Sequence, residues 1–69
     1  MIKFKEIQLG PNEFMVSVSL TSPYVSPATG RSRKIAIKKL KTKLKNEYIK
    51  GLKRMHRIKI SMMLVDQYE

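Results

Sequence analysis

The residues whose types and spacing could do chemistry are basic, and they are clustered. Between Arg31 and Lys59 the sequence holds thirteen lysines and arginines against one acid, Glu47, whereas Lys3 and Lys5 are balanced by Glu6 and Glu13 before Ser22. The 69 residues together carry fifteen basic and five acidic side chains, a formal net charge of +10. Charge localised to one half of a chain creates a positive field that draws anions to that half. The chemistry is electrostatic recognition, and the expected ligand is a polyanion.

Nothing in the sequence points to catalysis. There is no cysteine, and the single His56 cannot build a zinc site without further nitrogen or sulfur ligands. Glu6, Glu13, Glu47, Asp66 and Glu69 are scattered, which leaves no carboxylate set for two-metal chemistry. No nucleophile is linked by a motif to His56. The segment Gly30-Arg31-Ser32-Arg33-Lys34 lacks the GxxxxGK[ST] spacing of a phosphate loop. The expectation is a binding protein, not an enzyme, with no cofactor and no metal.

Within the basic half, Arg31, Ser32, Arg33, Lys34, Lys38 and Lys39 crowd the start of an expected helix, where the helix dipole prefers acids. A bound phosphate would offset that repulsion, using the free backbone N–H groups of the first turn and the Ser32 hydroxyl. Lys39, Lys43, Lys50, Lys53 and Arg54 continue the positive surface along the outer face. Regularly spaced phosphates suit such a track better than one small ligand does. Lysine makes point-charge contacts rather than planar bidentate base contacts, so low sequence specificity is expected.

Nucleic acid is therefore the leading partner, with DNA ahead of RNA. Duplex is ahead of single strand because only Tyr24 and Tyr68 are available to stack on bases. The alternative is a small inhibitor or adaptor that docks its basic patch on an acidic protein surface. Such interfaces need buried anchors, for which Tyr24, Val25 and Ile49 are the candidates. The plainest reading of a charge run is a solvated face that keeps a small protein in solution.

These residues need a frame, and the sequence reads as one small α+β domain over residues 1–69 with a ββαβ order. Ile2 and Phe4 alternate with lysines, and Ile7 and Leu9 resume one step out of phase. That predicts a strand at about 2–9 with a bulge near Lys5 and Glu6. Gly10-Pro11-Asn12-Glu13 is a turn, and Phe14, Val16, Val18 and Leu20 mark a second strand at about 14–21. Residues 22–32, rich in Pro, Gly, Ser and Thr, read as a loop.

Ile37, Leu40, Leu44, Tyr48, Leu52 and Met55 recur at helical spacing, predicting a helix at about 33–54 capped by Ser32, with Gly51 a competing end. Ile58, Ile60, Met62 and Leu64 alternate, predicting a third strand at about 57–65. A right-handed crossover would then make the first strand central in a three-stranded sheet, with the basic helix on one face. Met15, Met63 and Val65 would spot the other face, a contact surface for a homodimer or partner. No run of eighteen apolar residues is present and the N-terminus is too charged for a secretory core. A soluble, cytoplasmic protein with no membrane contact is expected.

Overall fold

The computed structural model describes residues 2–20, 24–51 and 55–69, with the side chain of Met55 excepted. The fold is α+β: strands β1 (Phe4–Gly10), β2 (Glu13–Val18) and β3 (Ala28–Gly30) precede helices α1 (Arg33–Lys50) and α2 (Met55–Asp66). The sheet is antiparallel in the order β1-β2-β3, so β2 is central. α1 packs on β2 and β3, and α2 packs on α1.

The hairpin forms where the turn residues place it. Phe4 lies opposite Val18 and Glu6 opposite Val16, and the register shifts between Gln8 and Gly10 at the entry to the turn, not near Lys5 and Glu6. The change of phase in the sequence has a different origin from a bulge. Successive strand residues face opposite sides. Phe4 therefore shares the core face with Val18, whereas Ile7, opposite Met15, points to the outer face and is exposed. Because α1 lies over β2 and β3, the inward positions Glu6 and Gln8 of β1 remain exposed and are polar.

β3 falls inside the segment expected to be a loop. It is three residues long, Ala28-Thr29-Gly30, pairing Ala28 with Val16 and Gly30 with Phe14. It reaches β2 as an antiparallel neighbour, so no crossover is needed and β1 becomes an edge. Gly30 is required by space. A Cβ there would lie 2.7 Å from the backbone nitrogen of Ala36 and 2.8 Å from Cγ2 of Ile35, in the first turn of α1.

α1 begins at Ser32, whose Oγ accepts from the Ile35 N–H at 3.3 Å. It ends at Lys50, not Arg54: Gly51 is the cap, and its N–H donates to the Glu47 carbonyl at 2.8 Å. Ala36, Ile37, Leu40 and Leu44 form its buried stripe, as helical spacing requires.

The expected strand at 57–65 is instead helix α2, and this is the main correction. Ile58, Ser61 and Val65 are fully buried and Met62 is partly buried, a three-and-four spacing, whereas Ile60 and Met63 are exposed. A six-residue apolar cluster at 58, 60 and 62–65 satisfies both periods, and its Met, Leu and Lys content favours helix. The buried Ser61 hydroxyl is satisfied by donating to the Arg57 carbonyl at 2.9 Å. The C-terminus closes on the sheet, with Tyr68 stacked on Phe4 at 4.3 Å between ring centroids. On α1, Lys41 pairs with Asp66 at 2.8 Å and with Glu69 at 3.1 Å.

Candidate nucleic-acid interface

The outer face of α1 carries the candidate site. Turning about 100° per residue, the helix sets Lys34, Lys38 and Lys45 in one row and Lys39, Asn46 and Lys50 in another. Between them run Ile35, Thr42 and Ile49, seven residues apart. All nine are exposed, Ile35 at 43% and Ile49 at 67%. From Lys34 to Lys50 the face is about 24 Å long at 1.5 Å per residue. Arg31, also exposed, stands at its N-terminal end.

The ten expected site residues divide by what they already touch. Lys34, Lys38, Lys39 and Lys50, with Arg31, make no ion pair among the described residues, and Lys45, omitted from the expected set, joins them. Arg33 is engaged: its Nε donates to Oε2 of Glu6 on β1 at 2.6 Å. Ser32 is engaged as the helix cap through its Oγ.

Lys43 is also engaged. Its Nζ donates to Ser26 Oγ at 2.9 Å and to the Pro27 carbonyl at 2.8 Å, holding the segment before β3 against the helix. Lys53 and Arg54 lie outside the described residues. Three of the five acids thus pair with Arg33 and Lys41, and among the described residues no ion pair reaches the outward lysine rows. No acid occupies the first turn of α1. The hydrogen bonds of Lys41 to Asp66, then to Glu69, raise its pKa above the ordinary 10.5 and keep it charged.

Two features of this face bear on how a ligand would be held. Beside the second lysine row, Tyr24, Val25, Ser26, Lys43, Asn46, Glu47 and Lys50 enclose an open groove of about 280 Å³. Tyr24 is 67% exposed there, while Tyr68 is occupied by its stack on Phe4. The heptad spacing of Ile35, Thr42 and Ile49 makes this stripe legible in the sequence as a set on the face away from the core. Among the described residues no group of three or more His, Asp or Glu side chains is placed to hold a metal ion. No helix among them is long and apolar enough to cross a membrane.

No family model matches the chain, and no significant match to a curated protein or to a solved structure is found.

Proposed function

We propose that this protein is a small nucleic-acid-binding protein, not an enzyme, that grips the phosphate backbone of duplex DNA with the outer face of α1. The observation that carries the reading is the double row of exposed lysines on one helix, none of them in an ion pair among the described residues. Lys34, Lys38, Lys39, Lys45 and Lys50, with Arg31, are the contacts. Point charges on flexible stems read phosphate rather than base edges, so binding is insensitive to sequence and DNA is favoured over RNA only slightly. A cytoplasmic location fits this role. The test is anisotropy of labelled duplexes titrated with the protein, comparing unrelated sequences and DNA with RNA. Binding that collapses with salt and ignores sequence supports the reading, and absence of binding at low salt defeats it.

The exposed Ile35 and Ile49 between the lysine rows favour a second reading, an adaptor or inhibitor docking this face on an acidic protein surface. Changing both isoleucines to serine separates the two. Duplex affinity survives that change if phosphate contacts dominate, and an acidic protein partner would be lost. The unpaired outer edge of β1, with Ile7 and Leu9 exposed, is the place where a homodimer would form. Sedimentation equilibrium of the protein and of an Ile7→Lys variant reports on it.

A further inference from the structure

We propose that the groove between Tyr24 and the C-terminal half of α1 takes an unpaired nucleotide, so that the protein prefers a duplex ending in a single-stranded extension over a blunt one. The inference rests on the nucleic-acid reading of α1 and adds a second element to it.

The first argument is that Tyr24 is presented rather than merely exposed. Its neighbour Val25 is buried in the core, and the next two residues, Ser26 and Pro27, are bound by the Lys43 ammonium at 2.9 and 2.8 Å. The backbone on which Tyr24 sits is therefore fixed from one side by packing and hydrogen bonds. An aromatic face held in advance stacks on a base at little ordering cost.

The second argument is the sorting of charge inside the groove. Among the lining residues Lys50 and Asn46 are exposed and Glu47 is half-buried. Glu47 turns phosphate away from its own side of the groove and accepts hydrogen bonds from base N–H groups. The exposed Lys50 attracts phosphate, and the Asn46 amide offers both a donor and an acceptor to a base edge. The lining thus offers groups for a base and for its phosphate. At about 280 Å³ the space is at the lower end for ligand sites, which run roughly 300–1,000 Å³, and has room for a single base. Lys39 and Asn46 lie in the same row as Lys50, so a duplex on the lysine rows delivers its end to the groove.

The test is anisotropy with the full chain, using a blunt duplex and the same duplex carrying a short single-stranded extension. The extension is expected to raise affinity about tenfold, the scale of one base–aromatic stack. Tyr24→Ala should erase that gain and leave the blunt duplex unaffected. Tyr24→Trp should retain it, and because the chain has no other tryptophan its emission reports the stack directly by quenching. Equal affinity of the wild type for the two duplexes overturns this inference while leaving the α1 face intact as a duplex site. So does a Tyr24→Ala loss that is the same for both. Failure to bind either duplex overturns both proposals.

Discussion

The ammonium of Lys43 donates to the carbonyl of Pro27 at 2.8 Å, across sixteen residues of chain. With its second bond to Ser26 this ties the segment before β3 to α1, so the lysine is a structural strut beside the second lysine row. Hydrogen bonds from charged groups contribute more than neutral ones, about 1.5–3 kcal/mol when sheltered and less at a partly open site. Lys43→Ala is expected to lower stability by about 1–2 kcal/mol in urea melts. Blunt-duplex affinity should change far less than on removing Lys38 or Lys39. An equal loss of affinity would show that Lys43 contacts the ligand after all.

Gly30 ends β3 directly beneath the first turn of α1, with room for no side chain. Gly30→Ala should force the Ala36 backbone and Ile35 apart from the sheet, costing about 1–3 kcal/mol as overpacking does. Thermal melts followed by circular dichroism measure it. Gly10, with open space around its would-be Cβ, is the control, and Gly10→Ala should cost much less by the same measure.

Lys41 ties α1 to the C-terminal end of α2 through Asp66 and Glu69, and these partners raise its pKa above 10.5. A base whose pKa is higher folded than unfolded binds its proton more tightly when folded. Its contribution to stability is complete below 10.5 and is lost as pH rises through the folded value. In urea titrations over that alkaline range, the wild type should lose its advantage over Lys41→Met. A difference between the two that stays constant would mean that the pairs do not stabilise the fold.

Helix α2 shows how far the sequence could be read. Ile58, Ile60, Met62 and Leu64 alternate, but Ile58, Ser61, Met62 and Val65 also recur at helical spacing, and a serine at a core position hid the second pattern. β3 was illegible because three residues are too few for any period, and proline and glycine around it spell loop. The hairpin and the stripe of α1 were legible because long single-period runs leave no alternative. At the site, the exposed lysines followed from helix rotation alone, whereas the engagement of Arg33, Lys41 and Lys43 depends on partners distant in sequence.

Two substitutions distinguish helix from strand at 57–65. Ser61→Lys should unfold the protein or cost more than about 3 kcal/mol, because it places a charge in a fully buried site. Ile60→Lys, at an exposed position, should be tolerated. A strand with Ile60 inward demands the reverse order, which chemical denaturation would reveal.

The central claim is that the outer lysines of α1 hold nucleic acid by its phosphates, and the salt dependence of duplex affinity tests it most directly. Six contacts at about −0.9 each give a log–log slope near −5 for the wild type between about 50 and 200 mM salt. Lys38→Glu, Lys39→Glu and Lys45→Glu combined should abolish binding while circular dichroism stays unchanged. A slope near zero, or undiminished affinity in the folded triple variant, would contradict the account.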